Sequence, residues 1–115
     1  MRNSNTRARC TKKQLTKSKG VVRTYNDLQE KFADLLEQDE NIKEFICNYP
    51  LTNFNIIDGK YTSDFYCTKN DGELVVYECV LRKHLAKPLT IKLLDASRNY
   101  WIRRGVTWRL VINAD

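Results

Sequence analysis

Two tight-turn signals, Asp58-Gly59 and Asn70-Asp71-Gly72, commit the middle of this chain to antiparallel β-structure. Asn53 to Ile57 and Lys60 to Thr68 flank the first. Leu74 to Arg82, rich in Val and Leu, follows the second, so the spacing predicts a three-strand meander. Upstream, Thr24 followed three residues later by Asp27 is a capping-box pattern, and Leu28, Phe32, Leu35 and Leu36 recur at helical spacing, which predicts a helix from about Tyr25 to Glu37. Ile42 to Tyr49 alternates in a way compatible with an extended stretch before Pro50. Downstream, Pro88 ends a loop, Leu89 to Arg104 has helical composition, Gly105 is placed as the left-handed residue just past a helix, and Thr107 to Ile112 reads as a last strand. A strand, helix, strand connection usually makes a parallel crossover, so this strand should lie beside the meander in a mixed sheet. The expected fold class is α/β, in the order helix, β-meander, helix, strand.

At 115 residues the chain has room for one domain and one core. No apolar run approaches the roughly 20 residues that cross a bilayer, and the N-terminus has no hydrophobic signal region, so a soluble, cytoplasmic protein without a membrane partner is expected. Cys10, Cys47, Cys67 and Cys79 include no C-x-x-C pair, and His84 is the only histidine. That argues against zinc and against a disulfide framework, and leaves the cysteines of the apolar stretches as small hydrophobes.

The net charge of +6 is unevenly divided. Eight basic side chains and no acid precede Asp27, while the remaining residues carry 12 basic and 14 acidic side chains. Residues 1–23, polar and without apolar periodicity, therefore read as a basic flexible arm on a single α/β domain of residues 24–115. Such an arm suits a phosphate backbone, with Arg7, Arg9, Lys12, Lys13, Lys17, Lys19 and Arg23 as the DNA-contacting residues. The bland alternative is a solubilising tail.

Two acids lie within apolar strand sequence. In Leu74 to Arg82 both faces are largely apolar, and Glu78 shares one of them with Val76, Val80 and Arg82. Buried there, an ionised carboxylate is costly unless a cation or charged partner compensates it. Asp64, between Tyr61 and Phe65, poses the same problem. With Gly72 as the left-handed residue of a three-residue loop, Lys69 faces Glu73 and Asp64 falls opposite Glu78, at a Cβ separation of roughly 4.5 to 5.5 Å. Two carboxylates that close share a proton or grip a hard cation, and magnesium suits an oxygen-only ligand set. A two-residue turn would instead set Asp64 opposite Cys79. The structural alternative pairs Glu78 with Arg82 or an arm lysine.

An acid on one strand, a hairpin and an acid on the next, bracketed by helices, resembles the PD-(D/E)xK restriction-endonuclease-like core. Tyr61-Thr62-Ser63-Asp64-Phe65 and Glu78-Cys79-Val80-Leu81-Arg82, with Lys87-Pro88-Leu89-Thr90 and Lys92-Leu93-Leu94-Asp95 after them, look like the N-terminal domain of TnsA-type endonuclease subunits of heteromeric transposases. The resemblance spans about residues 20–115. It implies a DNA endonuclease subunit that hydrolyses phosphodiesters at transposon ends with Mg2+ or Mn2+. Asp64, Glu78 and the Cys79 carbonyl would be the metal ligands, and other transposase subunits the partners. The motif's lysine, expected two residues after Glu78, is Val80. Arg82 or Lys92 would have to supply a cation in its place, and arginine acts only by charge, never as a base. The family's helix acid would map to Glu30. The alternative on the same scaffold is a catalytically inactive DNA-binding or inhibitory module, and a third reading is a protein-interaction domain using the Tyr100-Trp101 region.

Overall fold

The computed structural model describes residues 2–3, 10–54 and 60–114. Its elements are β1 (Arg2–Asn3), β2 (Thr11–Lys13), β3 (Val22–Thr24), α1 (Asp27–Gln38), β4 (Ile42–Pro50), β5 (Tyr61–Lys69), β6 (Leu74–Val80), a single 3-10 turn (Arg82–His84), α2 (Pro88–Arg103) and β7 (Thr107–Ile112). β4, β5 and β6 form the antiparallel meander, and β7 joins β6 in parallel, giving a mixed sheet. β1 pairs with Thr62 and Tyr61 at the start of β5.

The helices cover opposite faces. Ala33 and Leu36 of α1 pack with Val22, Phe45, Phe65, Cys67 and Cys79. Leu93 and Trp101 of α2 pack with Leu51, Tyr61, Val76 and Val106. Along β6 the side chains alternate between these two clusters, so the central strand is buried on both faces as its apolar sequence requires. Cys47, Cys67 and Cys79 all belong to the α1 side, and burial pushes the Cys67 and Cys79 thiols up to about 12, the behaviour of inert core residues. Among the described residues no helix is long and apolar enough to cross a membrane.

Three expectations change. The first strand of the meander is β4, paired with β5 from Ile42↔Lys69 to Pro50↔Thr62, and not Asn53 to Ile57. Asn53 has a left-handed φ of 57°, which ends extended structure there; residues 55–59, with the Asp58-Gly59 signal, lie outside the described residues. Second, α1 is capped by Asn26, whose side chain accepts from the Gln29 amide at 2.9 Å, while Thr24 is the buried last residue of β3. Third, β6 stops at Val80, so Arg82 is not on a strand face with Glu78.

The basic N-terminal segment, where it is described, is part of the fold. β2 and β3 form a hairpin, Val22 is fully buried against α1, and Leu15 packs on the same cluster. Lys17 and Lys19 clamp β4 through Phe45 N–H to Lys17 C=O and Lys19 N–H to Phe45 C=O, each 2.9 Å. Two acids pair with the segment, Asp34 of α1 with Lys13 at 2.5 Å and Glu44 of β4 with Lys19 at 3.3 Å, and the Lys17 ammonium donates to the Asp39 backbone carbonyl at 2.6 Å. In the structure residues 11–23 pack onto α1 and β4, where the apolar anchors Leu15 and Val22 and the acid contacts work against their ordering entropy. Arg7 and Arg9 lie outside the described residues.

Glu37 ties this segment down. It accepts from the Thr16 hydroxyl at 2.5 Å and from the Thr16 and Lys17 amides at 3.1 and 3.0 Å. The Thr16 hydroxyl first, then the Lys17 amide, hold its carboxyl below the usual 4.5. A depressed carboxylate contributes stability above its unfolded pKa and loses it as pH falls through the folded one. Docking of residues 16–17 is therefore expected to weaken as the pH drops below about 4.5. Amide NMR shifts of Thr16 and Lys17 should report this titration, and Glu37→Gln should abolish it. A titration unchanged in the Gln variant would assign it to another group.

Candidate functional site

The predicted turn forms. Lys69 N–H bonds the Glu73 carbonyl at 2.9 Å, Gly72 has a φ of 91°, and the pairs Phe65↔Tyr77 to Thr68↔Leu74 keep the expected register. Carried two residues further, that register would set Ser63 against Cys79 as the next hydrogen-bonded pair. Instead the ladder breaks at Asp64, whose carboxylate accepts from the Cys79 amide at 2.6 Å. Its other oxygen accepts from the Gln29 side-chain amide on α1 at 3.1 Å. Asp64 is only 2% exposed and turns to the α1 side.

Glu78 turns the other way. Completely buried, it accepts from Tyr61 Oη at 2.7 Å through one oxygen, and from the Ser63 and Ser97 hydroxyls through the other. Ser97 belongs to α2, and Trp101 of the same helix donates its indole N–H to Ser63 Oγ at 2.9 Å, leaving the Ser63 proton for Glu78. Burial, then the negative charge of Glu78, push the Tyr61 phenol well above its ordinary range, so it remains a donor at neutral pH.

The two carboxylates thus occupy opposite faces of the sheet. The cause is a paired slip of alternation. In β4, Cys47 packs on the α1 side and Tyr49 on the α2 side; in β5, Phe65 is on the α1 side and Ser63 on the α2 side. Between each of these pairs stand Asn48, with a φ of 53°, and Asp64, the residue that the β4–β5 register sets across from it. A left-handed residue in a strand is a local irregularity that re-aims neighbouring side chains.

The oxygens of both carboxylates are engaged by protein donors, on opposite sides of the sheet. The oxygens of Glu78 already accept three hydroxyl protons, and those of Asp64 accept N–H groups on the far face. The group of Cys79 that meets Asp64 is its amide, not the carbonyl expected as a ligand. Among the described residues no cluster of three His, Cys, Asp or Glu side chains has the geometry to hold an ion. As arranged here, Asp64 and Glu78 do not converge on one magnesium or manganese ion.

A scan against protein-family models and a search of curated proteins return no match for this chain.

The remaining expected site residues are dispersed. Arg82 is exposed beyond β6, where its amide and guanidinium bond Asn113 at 2.6 and 3.3 Å. Lys92 is exposed on α2 and opens onto an outer groove. Glu30 sits near Lys13, at 3.9 Å, and its neighbour Gln29 makes the contact to Asp64. Lys12 and Arg23 are exposed on the hairpin, whereas Lys13, Lys17 and Lys19 hold the contacts described above. Sequence reading missed Gln29, Ser63, Ser97 and Tyr61. Gln29 had a signal, since Asn26-x-x-Gln29 is itself a capping pattern, and its carbonyl does reach back to the Tyr25 amide at 2.7 Å.

The electrostatics divide the chain into three. Residues 27–81 hold twelve acidic and four basic side chains, and of the eight basic residues before them Lys13 and Lys19 pair with acids of that stretch. Residues 82–115 hold eight basic and two acidic side chains, which equals the net charge of the whole protein. Every ion pair among the described residues lies before residue 74; Lys92, Arg98, Arg103 and Arg109 have none and are exposed.

Proposed function

We propose that this protein is a DNA-binding module on a nuclease-like α/β scaffold, without cleavage chemistry of its own, that meets phosphates through α2 and β7. The observation that supports it is the charge division. Of the four N-terminal lysines described, Lys13 and Lys19 pair with acids of α1 and β4, while the surplus from Arg82 to Arg109 faces solvent without acidic partners among the described residues. An uncompensated basic face attracts a polyanion and releases its counterions on contact.

Anisotropy of a labelled DNA duplex is expected to give an affinity falling linearly with salt on logarithmic axes, with a slope of about −3 for three to four phosphates. Changing Arg98 and Arg109 to Gln should flatten that slope by about one to two. Binding that ignores salt, or none at low salt, would reject the proposal. The same samples with magnesium or manganese should show no nicking. Nicking that disappears in a folded Asp64→Asn variant would favour the TnsA-like endonuclease instead.

A further inference from the structure

A groove of about 500 Å³ runs along the outer side of α2, bounded by Asn53 and Phe54 on one wall and by Lys92, Asn99, Tyr100 and Arg103 on the other, with Arg104 at its end. Lys92, Asn99 and Arg103 are seven and four residues apart, so they lie on one strip of the helix. Phe54 and Tyr100 are both half-buried and meet edge to face at 6.3 Å; Phe54 is backed by Tyr61 at 4.8 Å, and Tyr100 by Trp101 at 5.0 Å. Tyr100 is further fixed by its hydroxyl, which accepts from the Thr52 amide at 3.1 Å. The Arg104 guanidinium lies 3.4 Å over the Tyr100 ring and is held there by a 3.1 Å bond to the Tyr100 carbonyl. Among the described residues one acid, Asp95, lines the groove.

We infer that this groove binds single-stranded nucleic acid, an inference that rests on the nucleic-acid reading above and names its substrate. A flat guanidinium fixed over a tyrosine offers its outer face as a stacking plane for an unpaired base. Asn53 and Asn99 carry both donor and acceptor groups, as a base edge requires. Lys92 and Arg103, spaced along the same wall, are placed for the flanking phosphates. A duplex uses the charges alone, because its bases are already stacked, and so it has no use for the aromatic floor.

The test compares a labelled oligothymidylate of about twelve nucleotides with an abasic strand of equal length and with a duplex. The oligothymidylate should bind at least about tenfold more tightly than the abasic strand, a difference expected from stacking one base. Arg104→Ala should remove most of that difference, and Lys92→Gln with Arg103→Gln should weaken both strands alike; all three positions are exposed, and unchanged melting curves check the fold. Equal affinity for thymidylate and abasic strands would overturn the groove while leaving salt-dependent duplex binding intact. No binding to any strand at low salt would overturn both. Tighter binding to phosphatidylserine vesicles than to any strand would reassign the basic face to a lipid surface.

Discussion

Replacing Glu78 with Ala is expected to lower the unfolding free energy by roughly 3 to 5 kcal/mol, because it strands three buried hydroxyls at once and opens a void. An unsatisfied buried donor costs about 1 to 3 kcal/mol, and the three are not additive because Ser63 and Ser97 share one carboxylate oxygen and lie 3.5 Å apart. For a chain of this size that is a fall in melting temperature on the order of 10 to 20 °C. Glu78→Gln should be milder, about 1 to 2 kcal/mol, since it keeps one acceptor and the hydroxyls can rotate to meet the new N–H groups. The experiment separates two roles for the same residue. A carboxylate poised beside another for a metal is under repulsion in the metal-free protein, so its removal is neutral or stabilising. A Glu78→Ala protein that melts at or above the parent temperature would remove the structural role argued here.

That prediction depends on a feature the sequence does not display. Turn chemistry and hydrophobic period made β5, β6, α2 and β7 legible to within a residue or two, and Gly72 correctly set the register of the hairpin. Register, however, fixes which residues are opposite, and only regular pleating turns that into which face they share. At Asp64 the pleat slips, and the positions on either side, Ser63 and Phe65, are residues either face would accept. Asn48, a residue tolerant of left-handed backbone, was the one visible hint, and its effect on β5 acts across the sheet. The inward side of α1 was misread for a related reason. Leu35 fitted the periodic stripe but is exposed, while Gln29 is buried because it has two partners, Tyr25 N–H and Asp64, that no helical wheel contains. Polar groups buried by a specific hydrogen bond look like surface residues until the partner is known. The same holds for charge. The eight N-terminal basic residues looked like a free polycation because the acids that meet Lys13 and Lys19 are distant in sequence, on α1 and β4.

Whether that segment is arm or framework has a large and simple consequence. Val22→Asp places an unpaired carboxylate in the fully buried α1-side cluster, and should cost more than about 3 kcal/mol or detach the β2–β3 hairpin altogether. Removing residues 1–23 should do more. It deletes Leu15 and Val22 from the core and strips Lys17 and Lys19 from β4, leaving the Phe45 amide and carbonyl without the partners they have in the intact fold. An exposed strand edge of that kind templates pairing between chains, so the shortened protein should melt well below the parent and aggregate on concentration. Changing only Lys12 and Arg23, which are exposed, to Gln should leave the melting temperature within about 1 °C, since isolated surface charges contribute little. A dispensable DNA-binding tail makes the opposite forecast: the shortened protein melts like the parent and loses its affinity for DNA. Melting curves and salt-dependent binding on the same three variants distinguish these outcomes, and a shortened chain that stays monomeric and equally stable would return residues 11–23 to the status of an arm.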